Sequence, residues 1–156
     1  PAYHAKGVSL RVELGADLPM IWADAEKIHQ VLVNLLTNAL AATPAGGVVA
    51  IRAGARPATP EETEVGKRSV DGVVKTMVTV AVSDTGCGMP GADLQKAFTP
   101  FFTTKAIGTG TGLGLFLSRE TVQAHGGTLS IESEVGKGTT VVLSLPGLEA
   151  TSEAVA

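Results

Sequence analysis

Val78-Thr-Val-Ala-Val-Ser-Asp84-Thr-Gly86-Cys-Gly88 is a strand that stops at a carboxylate and runs directly into glycine. Val78, Val80 and Val82 alternate with small or polar residues, the period of a half-buried strand. Asp84 ends that run. Alone, an Asp before glycine reads equally well as the start of an Asx turn. Its meaning comes from what flanks it. Upstream, Asp24 stands at an N-cap position before a long amphipathic helix. Ile28, Val31, Leu32, Leu35, Leu36 and Ala39 share one face of that helix, while Gln30, Asn34 and Asn38 follow one another at i, i+4, i+8 on a second. Thr43-Pro-Ala-Gly-Gly47 stops it.

The rest of the chain fills in around this strand. Val8–Leu14 alternates as a strand, and Met20-Ile-Trp22 is expected to form a second short one. Val48–Arg52 and Val73–Ser83 are predicted as strands joined by a long polar loop, Gly54–Gly72. Pro90–Ala97 and Leu113–Ala124 are predicted helices, the second closed by Gly126-Gly127. Thr128–Glu134 and Thr139–Leu145 read as a closing hairpin around Val135-Gly-Lys-Gly138. Residues 147–156 carry no pattern and are expected to form a tail or linker. One domain, 1–146, accounts for everything else.

Bulk properties narrow the function. The chain has 156 residues, a formal net charge of −3 and one cysteine, Cys87. The length suits one domain with a real core. No basic run points to nucleic acid. A lone cysteine excludes an internal disulfide and fits a reducing compartment. No apolar run reaches the ~18 residues of a membrane span, and no signal sequence is expected. The chain starts at Pro1 without a methionine and reads as a piece of a longer protein.

Five short boxes carry the chemistry, in this order: Asn34-Leu-Leu-Thr-Asn38, Asp84-Thr-Gly86-Cys-Gly88, Phe98-Thr-Pro-Phe-Phe-Thr-Thr-Lys105, Gly110-Thr111-Gly112-Leu113-Gly114 and Gly136-Lys-Gly138-Thr139. Two asparagines four apart project one helical turn apart, in one direction. Their neutral amide oxygens suit Mg²⁺, a hard cation that bridges phosphates. An ionised carboxylate at Asp84 only accepts hydrogen bonds. It therefore suits adenine, with an exocyclic amino donor, over guanine, with a keto oxygen there. Glycines at 86 and 88 permit close backbone approach. The second glycine box, Gly110–Gly114, opens a helix, where N–H groups attract phosphate. The Gly110–Gly114 box fits neither Gly-x-x-x-x-Gly-Lys-Ser/Thr nor Gly-x-Gly-x-x-Gly, because its glycines are spaced strictly by two, so it indicates neither a P-loop nor a dinucleotide-binding turn. Phe98, Phe101 and Phe102 are expected to bury together. The small residues from Thr103 to Gly112 are expected to form a lid that orders on nucleotide.

The ordered set resembles the catalytic ATP-binding domain of bacterial sensor histidine kinases, in the superfamily of gyrase B, Hsp90 and MutL. The resemblance runs from about Lys6 to Pro146. It implies the Bergerat-type fold, an α/β (α+β) two-layer sandwich with a mixed sheet on one layer of helices. It implies ATP and Mg²⁺ as cofactors, Asn38 as the metal ligand, and Asn34 and Lys105 as catalytic residues. It further implies nucleotide binding by Asn34, Asn38, Asp84, Gly86, Gly88, Lys105, Gly110, Thr111, Gly112, Leu113, Gly114 and Thr139. Asn34 stands where hydrolysing relatives carry a glutamate base, and an amide takes no proton from water. Phosphoryl transfer is therefore favoured over hydrolysis. Ala41 lacks the basic residue that many relatives carry there. No His-Glu phosphoacceptor motif is present; His4, His29 and His125 read as exposed or structural, with His125 suited as a cation to a helix end.

The implied partners are a dimerisation and histidine-phosphotransfer domain of the same parent, and a response regulator. A cytoplasmic location is expected, with the parent either free or anchored in a membrane and the isolated domain monomeric. Two other readings stay open: a nucleotide-binding pseudokinase switch, and a serine kinase or ATPase of the same superfamily.

Overall fold

The computed structural model describes residues 6–66, 74–102 and 113–148. Five strands form one sheet: β1 (Ser9–Leu14), β2 (Val48–Pro57), β3 (Thr76–Asp84), β4 (Thr128–Glu134) and β5 (Gly138–Pro146), in the order β1-β2-β3-β5-β4. β1 runs parallel to β2, and every other pair is antiparallel. A parallel pair needs a crossover. Here the crossover is α1 (Ala25–Ala42). Three shorter helices follow: α2 (Pro60–Gly66), α3 (Gly91–Lys96) and α4 (Gly114–Ala124).

Strand alternation decides where the core lies. Val49, Val82, Val141, Leu143, Leu145 and Leu129 point to one face of the sheet, where Ile28, Val31, Leu35 and Ala39 of α1 and Val122 of α4 cover them. The result is the expected two-layer sandwich with a mixed sheet. α1 starts at the predicted N-cap, where the Asp24 carboxylate accepts the N–H groups of Glu26 (3.1 Å) and Lys27 (3.3 Å). It ends as expected before Thr43, whose buried hydroxyl donates to Ala39 O at 2.6 Å. α4 closes at Gly126 (φ +76°), and Gly127 N–H donates to Val122 O.

Several expectations are corrected. The polar segment Gly54–Gly72 is not one long loop. β2 and β3 continue to the pair Pro57↔Thr76, and α2 follows. Thr59 and Glu62 form a capping box: Glu62 N–H donates to the Thr59 hydroxyl, and Thr59 N–H to the Glu62 carboxylate. Met20-Ile-Trp22 is not a strand; only Ile21 bridges, to Gly147, and Met20 and Trp22 are exposed. The three phenylalanines do not bury together. Phe98 packs on the core, whereas Phe101 is 73% exposed at φ +65°. Gly147 and Leu148, placed in the tail by sequence, donate their N–H groups to Thr76 O and Met20 O. No helix among the described residues is long and apolar enough to cross a membrane.

Candidate functional site

Register builds the site. Ile51, Val82, Val141 and Ile131 lie opposite one another across β2, β3, β5 and β4. Two residues further along, on the same face, the row becomes Val49, Asp84, Thr139 and Ser133. The pleat is unchanged, but its chemistry switches from aliphatic to polar at the edge of the core. Asp84 Oδ1 accepts the N–H groups of Gly86 (2.9 Å) and Thr139 (3.3 Å). Among the described residues no hydrogen bond reaches Oδ2. The Thr139 and Ser133 hydroxyls are 2.7 Å apart, and Ser133 Oγ accepts the Met89 N–H at 2.8 Å. Burial pushes the Asp84 carboxyl above the usual range, while the N–H groups of Gly86 and Thr139 oppose that shift.

Glycine is required here by the protein's own backbone. A Cβ on Gly86 would strike the Ala42 carbonyl at the end of α1. One on Gly88 would strike the Glu134 carbonyl, and one on Gly138 (φ +113°) the Asp84 carbonyl. The box after Asp84 is therefore wedged between the C-terminus of α1 and the β4–β5 hairpin. Gly136 N–H donates to Cys87 O, and Thr85 Oγ1 accepts the Val48 N–H.

α1 and α4 bring the asparagines to the same region. Asn34 and Asn38 are both half-buried. Asn34 Nδ2 donates to Ser118 Oγ at 2.9 Å, and a Cβ on Gly114 would lie 2.6 Å from Asn34 Oδ1. α4 therefore begins against the Asn34 side chain. Leu113 directly precedes α4 as its N-cap residue. Lys105, Gly110, Thr111 and Gly112 lie outside the described residues, as does the expected lid from Thr103 to Gly112. At the absent cation position, Ala41, the backbone finds another one: Lys6 Nζ donates to Leu40 O (2.6 Å) and Ala41 O (3.2 Å).

His125 is structural, one of the two readings expected for it. Its Nε2 accepts the Asp24 N–H at 3.1 Å, so Nδ1 carries the proton and donates to Thr121 O at 2.7 Å. The ring bridges α4 and the start of α1. His29 is exposed. Sequence reasoning missed Ser118, Ser133 and Lys6. Ser118 alone left a trace, four residues after Gly114 on a helix whose inner stripe is otherwise apolar.

The family model for histidine kinase-, DNA gyrase B- and HSP90-like ATPases matches residues 23–149. The chain belongs to this family. It is 41% identical over 143 residues to the sensor kinase CckA of Brucella abortus (strain 2308), covering 92% of this chain and 15% of that protein. It is 37% identical over 143 residues to the sensor histidine kinase ZraS of Escherichia coli (strain K12), covering 92% and 26%. Among solved structures, full-length ShkA in complex with AMPPNP superposes with a TM-score of 0.74 at 28% identity, over 97% of this chain and 28% of that one. The catalytic domain of the histidine kinase ThkA gives 0.71 at 29% identity, over 93% and 82%. The fold is thus that of a histidine kinase catalytic, ATP-binding domain, and the chain spans about a quarter or less of the two curated relatives named.

Proposed function

We propose that this domain binds Mg-ATP and donates the γ-phosphoryl group to a histidine on a separate dimerisation domain of the same parent protein. One observation carries the reading: Asp84, half-buried, keeps Oδ1 on two backbone N–H groups while Oδ2 accepts nothing from the described residues. An acceptor so held, at the mouth of a pleat lined by Thr139 and Ser133, fits the amino group of adenine and repels the keto oxygen of guanine. Asn38 would hold Mg²⁺ through its amide oxygen. No cluster of three His, Cys, Asp or Glu that could cage a metal exists among the described residues, which suits an ion carried mainly by phosphate oxygens. Lys105 and the Gly110-Thr111-Gly112 turn enter this proposal from sequence alone.

In the transfer, the bond from the γ-phosphorus to the β,γ-bridging oxygen breaks, a P–N bond forms to the imidazole of the partner domain, and ADP leaves. The domain's part is positioning and charge neutralisation. Asn34 offers no base for water. An aspartate of a response regulator would take the phosphoryl group next, on the cytoplasmic side of whatever anchors the parent. The test is radiolabelled transfer from ATP. The parent protein should acquire acid-labile, base-stable phosphate on a histidine outside this chain. This domain alone should neither label itself nor turn ATP over quickly. Stable phosphate on His29 or His125 of the isolated domain would contradict the proposal.

A further inference from the structure

α4 carries an inner stripe at helical spacing, Leu115, Ser118 and Val122. Val122 is fully buried and Leu115 packs on the core. Ser118 interrupts this stripe and is only 4% exposed. A buried hydroxyl needs a partner, and an aliphatic residue in its place would suit the core better. The partner is Asn34 Nδ2, 2.9 Å away and 84 residues earlier. The same carboxamide lies flat against Gly114, the first residue of α4, where an added Cβ would come within 2.6 Å of Oδ1 and 2.8 Å of Nδ2. The Asn34 side chain is thus held between two residues one turn apart on the helix that the Gly110–Gly114 box opens. An asparagine without such a hold has several rotamers to choose from.

We infer that Ser118 is a positioning residue that fixes the Asn34 carboxamide against the first turn of α4 and so ties the asparagine box to Gly114, the last residue of the second glycine box. The inference rests on the proposed nucleotide site and extends it to a residue that touches no nucleotide. Ser118→Ala frees Nδ2. Asn34 then loses its hydrogen bond to α4.

The test uses this chain, by calorimetry with Mg-ATP and by the ¹⁵N resonances of the Asn34 side-chain amide. Ser118→Ala should move those resonances toward free-amide values and weaken Mg-ATP by about three- to tenfold, the loss of one hydrogen bond. Ser118→Thr, which keeps the hydroxyl, should recover affinity to within about twofold of wild type. In an Asn34→Ala background, Ser118→Ala should cost nothing more. Unmoved Asn34 resonances, or an equal loss in the Asn34→Ala background, would overturn the inference. So would a Ser118→Thr variant that melts like wild type yet binds like Ser118→Ala. A wild-type chain that does not bind Mg-ATP would instead overturn the nucleotide reading, and the resonance comparison would still decide the role of Ser118.

Discussion

The two ends of β3 are secured by different means. At Asp84 the chain is held by backbone against backbone: Gly86 under the Ala42 carbonyl, Gly88 under the Glu134 carbonyl, and Gly138 under the Asp84 carbonyl. At Thr76 side chains join the backbone bond from Gly147 N–H to Thr76 O. Thr63 Oγ1 donates to Val74 O, and Arg56 grips Glu62 with two bonds of 2.7 and 2.6 Å. The first end has no room for a single carbon. The second stands partly in water, and its charged pair is one that solvent can replace. The Asp84 end should therefore be intolerant of small changes, and the far end tolerant of large ones.

The largest effect should come from Gly138→Ala. The substitution places a Cβ on the Asp84 carbonyl and forces a side chain into φ +113°. Loss of stability should exceed about 3 kcal/mol, read by chemical denaturation, since strain and overlap add. A variant that unfolds like wild type would mean that the two backbones are not in contact. Gly114→Ala should act differently, because its new Cβ meets a side chain, Asn34 Oδ1 at 2.6 Å. The fold should survive, and Mg-ATP affinity should fall about tenfold as Asn34 is displaced, or about 1.4 kcal/mol. Unchanged affinity would remove Asn34 from the site.

Glu62→Gln at the far end should have the smallest effect. Arg56 holds the Glu62 carboxyl down at about 2 from an ordinary 4.5, with Thr59 N–H and hydroxyl bonds helping against desolvation. A depressed folded pKa stabilises above the unfolded value. The contribution is therefore present above about pH 4.5 and lost as pH falls from there toward about 2. Arg56 is 40% exposed, so solvent screens the pair, and Glu62→Gln at neutral pH should cost on the order of 1 kcal/mol. The variant's melting temperature should differ from wild type at pH 7 and converge with it only near pH 2. ATP affinity should not change. Any change in affinity would couple the two ends of β3 and break the contrast between them.

The sequence carried the fold where one signal dominated. The alternation of Val78, Val80 and Val82, the Asp24 cap and the Gly126 stop each settled an element without tertiary help. Legibility failed where two signals competed. Thr59-Pro-Glu-Glu62 spells a capping box with proline at the first helical position, yet its setting among Pro, Glu and Gly read as loop. Met20-Ile-Trp22 has strand-forming residues, but nothing beside it supplies a ladder. Phe101 was expected in a cluster because aromatics usually bury, and no local pattern announces a positive φ. In the site, residue types gave Asp84, Asn34 and Asn38. Their partners were hidden because register and helix packing bring together positions as distant as Asn34 and Ser118. The glycines were legible as close approaches, but what they approach, carbonyls of this same chain, is visible only in three dimensions.

The central claim is that Asp84 is held to read adenine and not to stabilise the fold. Its burial raises the carboxyl's pKa in the folded state, so the ionised group weakens folding at neutral pH relative to acid. Asp84→Asn removes that charge and keeps an oxygen for Gly86 and Thr139. The decisive measurement is ATP calorimetry on wild type and Asp84→Asn, with thermal melts of both free proteins at pH 7. The account predicts that the variant melts at or above the wild-type temperature and loses about 2–4 kcal/mol of ATP binding, an amide donor now facing the adenine amino group. Equal ATP affinity in the two proteins, or a variant that loses binding only because it has lost its fold, would contradict it.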